Sequence, residues 1–250
     1  MASLGGVSTR HGSPARLIDG LRVRPRRRAV AIGTFDGVHL GHAQVIVGCD
    51  TVLTFDPHPR SVLQPGNVPR LLTDAVGKRR RLAALGVREI VVIPFDREWA
   101  ALDAATFVDE LIVRRLGAFA VSVGADFRFG AGAVGDARTL EEDPRFVTTV
   151  GQMATLEGDV VSSSRIRDLV AAGDVERAAR LLGRPHMLPS RALRNGHLMI
   201  DSALAIPRPG RYTVTVGGIA TCATVSYNGV IELGRWPTAR SVEVSFLRRI

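Results

Sequence analysis

Two histidines stand three residues apart in the stretch AIGTFDGVHLGH, residues 31–42, with Gly41 between His39 and His42. Their types and spacing admit three readings: half-buried core histidines on a glycine-rich turn, metal ligands, or a phosphate site. A metal site needs more donors than two imidazoles at i and i+3 supply. Cys49 and Cys222 lie far apart and neither belongs to a CxxC pair, so neither a zinc site nor a disulfide framework is expected. A phosphate site fits the composition better. Glycine lets an anion approach the backbone closely, and a helix starting near His39 would aim free amides at it. Imidazoles on the same turn add donors whose bonds tighten as charge builds in a transition state.

Three further stretches carry chemistry-bearing residues. VSSSRIR, residues 161–167, sets Ser162, Ser163 and Ser164 before Arg165 and Arg167. It reads either as an ordinary helix cap, with Ser164 capping a helix that opens at Arg165, or as a second anion site at a helix start. In TFDPHPR, residues 54–60, Pro57 and Pro59 stiffen the chain while Phe55 and His58 offer flat faces. GADFRFG, residues 124–130, presents Asp126 between small residues and two phenylalanines.

The elements that must position these residues alternate. RAVAIGTF, DTVLTF, REIVVIPF and AFAVSVGADF read as buried-type strands. HAQVIVG, TDAVGKRRRLAALG (capped by Thr73, ended by Gly86) and DAATFVDELIVRRLG read as helices. This order predicts an α/β fold, a mostly parallel sheet with helices on both faces. Ligands in such folds bind beyond the carboxyl ends of the strands, where GTFDGVHLGH, FDPHPR and GADFRFG fall. A helix over residues 165–172, ending near Gly173, and a second short one precede Gly183–Arg184–Pro185. After Pro185, GHLMI, RYTVTVGG, IATCATVSYNG, VIELGRW and SVEVSFLRRI read as short strands of a small β-barrel-like domain. The organisation expected is a flexible tail over residues 1–16, a nucleotide-handling domain over 17–185 and a β domain over 186–250.

GTFDGVHLGH resembles the HxGH signature of nucleotidylyltransferases. TFDPHPRSVL, LLTDAVGKRRRLAALGV, VVIPFDREWAALDAATFVDELIV, VSVGADFRFGAGAVGD and VSSSRIRDLVAAGDVERAARLLGRP continue the likeness in order over residues 17–185. Together they are similar to the bacterial FAD synthase family, bifunctional riboflavin kinase/FMN adenylyltransferases with a Rossmann-like domain. The resemblance implies transfer of AMP from ATP to FMN, giving FAD and pyrophosphate. A phosphate monoester with a second pKa near ~6 is already largely dianionic at neutral pH, so positioning and charge stabilisation dominate over base catalysis. The resemblance implies His39 and His42 as the catalytic pair on the ATP phosphates, and Gly33, Thr34 and Phe35 as the loop beneath the nucleotide. Asp36 would hold that loop or assist Mg2+. Ser162, Ser163, Ser164 and Arg165 would hold the ATP phosphates, with Arg167 an alternative cation. Phe55, Pro57, His58, Pro59 and Asp126 would line the flavin side, and Phe127 and Phe129 would pack as core. Mg2+ accompanies ATP, with no protein ligand assigned to it.

Two departures matter. The stretch between His42 and the TVLTF strand is short, predicting a stunted helix in a βαβ unit that still closes. The C-terminal segment lacks the family kinase's Gly-Phe-Pro-Thr-Ala-Asn motif; the Pro237–Ala239 triplet PTA stands too late and is followed by Arg240. Glu243 reads either as the counterpart of the kinase's catalytic carboxylate or, as the two-residue period of Val242, Val244 and Phe246 favours, as an outward residue of the last strand. A degenerate barrel without riboflavin kinase activity is expected, stabilising the first domain or mediating assembly as a homo-oligomer. The competing readings are a non-catalytic flavin- or nucleotide-binding regulator and a nucleotidylyltransferase with another phosphorylated acceptor.

Bulk properties are compatible. The chain has 250 residues, 46% hydrophobic and 23% charged, enough for a real core. No apolar run spans a bilayer and the first residues lack a signal peptide's apolar middle, so a cytoplasmic location and no membrane partner are expected. The net charge is +9, carried almost wholly by arginine. RVRPRRRAV, residues 22–30, is the one dense basic run; it has no interleaved aromatics, and nucleic acid is not the expected partner.

Overall fold

The computed structural model describes residues 15–193, 197–234 and 241–250. Most of the expected tail and the PTA triplet lie outside the described residues. Six strands form one parallel sheet: β1 (Arg16–Asp19), β2 (Arg28–Ile32), β3 (Thr51–Asp56), β4 (Glu89–Pro94), β5 (Ala118–Gly124) and, later in the chain, Val147–Gly151. Two short strands intervene, β6 (Arg128–Phe129) and β7 (Gly135–Asp136), so Val147–Gly151 is β8. The spatial order is β1-β4-β3-β2-β5-β8. β2 is buried along its whole length, as a central parallel strand covered on both faces must be. The α/β class read from the alternation is the observed one.

Helices α1 (Leu40–Ile46), α2 (Pro59–Leu63), α3 (Ala75–Ala84), α4 (Arg97–Ala101) and α5 (Ala104–Thr106) punctuate the sheet. α5 runs on as a π-helical turn over Phe107–Arg115, whose Phe107, Val108, Leu111 and Ile112 are buried in the main core. α6 (Ala137–Glu141), the hairpin β9 (Thr155–Leu156) with β10 (Asp159–Val160), α7 (Ser163–Ala172) and α8 (Val175–Leu182) complete this half. α1 is only seven residues long, the stunted helix expected. Two caps differ from expectation. Asp74, not Thr73, caps α3, accepting from the Gly77 amide, while the Thr73 hydroxyl accepts from Arg81. Ser162, not Ser164, caps α7, so that helix opens two residues earlier than read.

β11 (His186–Ala192), β12 (His197–Ile200), β13 (Gly210–Val216), β14 (Ile219–Val225), β15 (Val230–Leu233) and β16 (Ser241–Arg249) close into an antiparallel barrel, order β11-β12-β15-β14-β13-β16. Pairing of β11 with β16 seals it. Its interior holds Leu188, Leu198, Val214, Ile231, Val244 and Phe246, all essentially inaccessible. Side chains fill small barrels of this kind completely. The Val244/Phe246 alternation leaves Glu243 facing out, where it pairs with Arg80 of α3 at 2.5 Å. No helix among the described residues is long and apolar enough to cross a membrane.

Arg26, Arg27 and Arg28 of the basic run of residues 22–30 make contacts within the fold, and of the run's five arginines only Arg28 is buried. Arg28 is 2% exposed; it bonds Glu89 and the carbonyls of Arg24 and Leu116. Arg26 reaches Glu89 and Asp50, and Arg27 stacks on Phe119. These contacts tie the amino ends of β2, β3 and β4, the end of the sheet opposite the motifs.

Candidate active site

The chain leaves β2 through a loop that few sequences would tolerate. Phe35 has φ +48°, Gly37 +83° and Val38 +45°. Non-glycine residues in this region cost roughly 1–3 kcal/mol each and persist only where the surroundings over-determine them. Here they do. Asp36, 1% exposed, accepts from the Leu72 amide through both carboxylate oxygens and pairs with Arg167 at 3.0 Å. The Ser163 hydroxyl donates to the Asp36 carbonyl, and Lys78 donates to the Thr34 carbonyl at 2.9 Å. The Asp36 carboxylate therefore serves the loop and the Arg167 guanidinium, the first of the two roles expected for it.

The loop delivers His39 to the start of α1, where it forms a reciprocal cap. His39 Nδ1 accepts from the His42 amide and His42 Nδ1 accepts from the His39 amide, both at 3.3 Å. The rings stack with centroids 3.5 Å apart and 17° between planes. Because each Nδ1 accepts, each neutral ring carries its proton on Nε2. Gaining a second proton would break the cap. Burial, with Arg184 and Arg167 nearby, lowers the His39 pKa to about 4. Burial, stacked His39, Lys78 and Arg184 hold His42 well below the usual imidazole range. Phe35 lies edge-on beneath His42, 5.2 Å between centroids.

Gly41 explains the middle of the motif. A β-carbon there would sit 3.2 Å from the Val161 carbonyl oxygen and 3.3 Å from the His39 ring. Glycine thus lets the segment before α7 press against the start of α1. That brings the second serine-rich stretch to the first. Ser162 caps α7 by accepting from the Arg165 amide, Ser163 holds the loop, and exposed Ser164 is free of both duties.

These pieces line one cleft of about 640 Å³ at the carboxyl ends of the strands. Of the expected residues, Gly33, Thr34, Phe35, His39 and His42 line it, as do Ser162, Ser163 and Ser164. Phe55, His58, Pro59 and Asp126 line it as well. Three expected residues do not: Asp36 lies beneath the loop, Pro57 follows the cis Asp56–Pro57 bond outside the lining, and Arg165 turns to Asp159 at 2.8 Å. Arg165 is a correction with a plain cause. The β9–β10 hairpin supplies a carboxylate that claims its guanidinium, and Arg167, two residues on and rotated about the helix, lines the cleft instead. His58 caps α2 by accepting from the Arg60 amide, and Arg60 and Arg128 add cations to the lining. Phe127 lines the cleft and stacks on Phe129, which alone of the two is fully in the core. Sequence reading missed the pins Lys78 and Arg184. For Lys78 a signal existed: it is the chain's one lysine. Among the described residues, no group of three His, Cys, Asp or Glu side chains could cage a metal ion.

A family model described as FAD synthetase matches residues 22–165, more than half of the chain. This chain belongs to the FAD synthetase family. The Pseudomonas fluorescens bifunctional riboflavin kinase/FMN adenylyltransferase is 32% identical over 246 residues, covering 89% of this chain and 78% of its own. The Escherichia coli K12 protein of the same name is 34% identical over 197 residues, covering 73% of this chain and 63% of its own. This FAD synthetase family member therefore spans less than two thirds of that relative's length. A solved structure described as a macrolide-efflux protein of Streptococcus pneumoniae superposes with a TM-score of 0.84 over 94% of this chain and 91% of its own. At 23% identity it shares the fold.

Proposed function

We propose that this chain is an FMN adenylyltransferase. An oxygen of the FMN phosphate forms a bond to the α-phosphorus of ATP, the bond from that phosphorus to the bridging oxygen of pyrophosphate breaks, and FAD and pyrophosphate leave. The observation that carries the reading is the reciprocally capped histidine pair, joined in one cleft to the start of α7 and to the Phe55–Pro59 segment. With both Nδ1 atoms occupied, the Nε2–H of His39 and His42 is the ring donor left for phosphate oxygens. Neutral donors that need no reorganisation suit charge that develops on the transferring phosphoryl group. Ser164, Arg167 and the amides at the start of α7 supply the second phosphate hold. Phe55, His58 and Pro59 with Phe127 and Asp126 form the flavin side.

Mg2+ enters as part of the ATP complex. The described residues do not fit a resident ion: the Asp36 oxygens are spent on Leu72 and Arg167, and no three-donor cluster exists among them. The nucleophile is a phosphate dianion by virtue of its own second pKa near ~6, so no protein base is required.

The barrel carries no riboflavin kinase activity in this reading. Hydrocarbon packs its interior, and Glu243 is spent on Arg80. Purified protein given Mg2+, ATP and FMN is expected to release FAD and pyrophosphate, identified by mass. CTP is expected to serve poorly, and riboflavin with ATP is expected to give no FMN. Absence of FAD would sink the adenylyltransferase assignment, and FMN made from riboflavin would sink the loss of the kinase.

A further inference from the structure

Arg184 stands where the sheet half hands over to the barrel. Gly183, in the left-handed conformation at φ +72°, caps α8, and Pro185 with β11 follows Arg184. The Arg184 amide bonds back to the Ala179 carbonyl, which fixes the backbone of this turn. Its side chain does not line the cleft; it runs behind it. Nη1 donates to the Val38 carbonyl at 3.1 Å and to the Leu182 carbonyl at 3.0 Å, and Nη2 donates to the Gly37 carbonyl. One planar fork thus joins α8 to the two residues that precede His39, both of which have positive φ. The same turn abuts α1: a β-carbon on Gly183 would lie 2.7 Å from Leu40 Cδ2.

The other supports of the loop act further from the histidines in sequence. Lys78 holds Thr34, while Leu72, Arg167 and Ser163 hold Asp36. Only Arg184, among the described side chains, bonds the Gly37 and Val38 carbonyls. It carries no carboxylate partner among the described residues, so these three carbonyls receive its donors. A lysine could keep the charge but not the fork that spans three acceptors.

We infer that Arg184 is a positioning residue for adenylyl transfer: its guanidinium sets the path of Gly37 and Val38 and, through it, where the His39 and His42 rings meet the nucleotide phosphates. The inference rests on the adenylyltransferase reading. It also gives the barrel a task without a ligand, because docking of β11 anchors the residue that steadies the catalytic loop.

The test is steady-state FAD formation by wild type, Arg184→Ala and Arg184→Lys, with kcat and each KM measured separately. A misplacement of about 1 Å costs on the order of 100-fold in rate, so Arg184→Ala is expected to lose ~100-fold in kcat. KM for ATP and FMN should stay within about threefold, because the side chain touches neither ligand. Arg184→Lys should regain only a small part of the rate. Hydrogen exchange of amides 35–42 should quicken in both variants while the melting transition persists. If the alanine variant does not fold, the lysine variant decides: wild-type kcat with unchanged loop protection overturns the inference, and so does a loss confined to KM. A wild type that makes no FAD would remove the adenylyltransferase reading itself, whereas active wild type with equally active variants would remove only the role of Arg184.

Discussion

At the carboxyl end of the parallel sheet, polar atoms hold the backbone; inside the barrel, hydrocarbon does. The cleft loop has three residues of positive φ in a run of four, and a buried aspartate, a lysine and two arginines pin it. The barrel is closed and filled by aliphatic side chains with Tyr212 and Phe246. Strain and buried polar groups are costly, and they survive where something other than packing requires them. Hydrocarbon interiors tolerate substitution so long as volume and pattern are kept. The contrast shows where the fold spends buried polar groups on backbone strain and where it relies on packing alone.

The sharpest way to break this comparison is His42→Ala. Removing a preorganised donor to a developing charge costs ~100- to 1,000-fold in kcat, and FAD formation is expected to drop by that much with the fold intact. A few-fold loss would return the histidines to a packing role. Next comes Gly41→Ala. The new methyl would crowd the Val161 carbonyl and the His39 ring, and a loss of about tenfold in kcat is expected from the displaced rings. Unchanged kinetics would show that the two motifs need not touch so closely.

Acid stability gives a third test. His39 and His186 are both held near about 4 from an ordinary 6.5, chiefly by burial; Arg184 and Arg167 add to the effect at His39, while a bond to the Ala205 carbonyl opposes it at His186. Between those values the unfolded chain binds protons that the folded chain refuses. Stability is therefore whole above about 6.5 and falls as pH drops toward about 4. Denaturant melts at stepped pH should show proton uptake on unfolding across that window. Because one of these histidines lies in the cleft and the other opens the barrel strand β11, His39→Gln and His186→Gln should each flatten part of the slope. The smallest effect belongs to Glu243→Gln. Its pair with Arg80 is half exposed, and such pairs contribute ~0–1 kcal/mol. Activity within about twofold of wild type and a barely moved melting point are expected; a large loss of activity would give Glu243 a chemical role.

Much of this was legible in the residues. β2, β3, β4 and β5 announced themselves as short, mostly apolar runs with β-branched residues, and the glycines at 86, 173 and 183 marked helix ends by needing a left-handed turn. β1 was not legible, because RLID is four residues with charge at both ends and pairs only at the sheet edge. β11 hid for a similar reason, with Pro189 and Arg191 interrupting its pattern. In the site, the motifs named the lining residues but not their partners. That Arg165 would be captured by Asp159, or that Arg184 would cross behind the loop, depends on pairings between distant segments that no local pattern encodes.

Lys78 has a chemical singularity of its own. Every other basic side chain that is cationic at neutral pH is a guanidinium, so the sequence contains a single side-chain ε-amine. It sits under the loop that follows β2 with its ammonium bonded to the Thr34 carbonyl, and burial lowers its pKa. An amine-selective acylating reagent that spares arginine therefore meets one side-chain amine, buried behind the loop and outside the cleft lining. Covalent labelling of that amine therefore gauges how firmly the loop is held to α3.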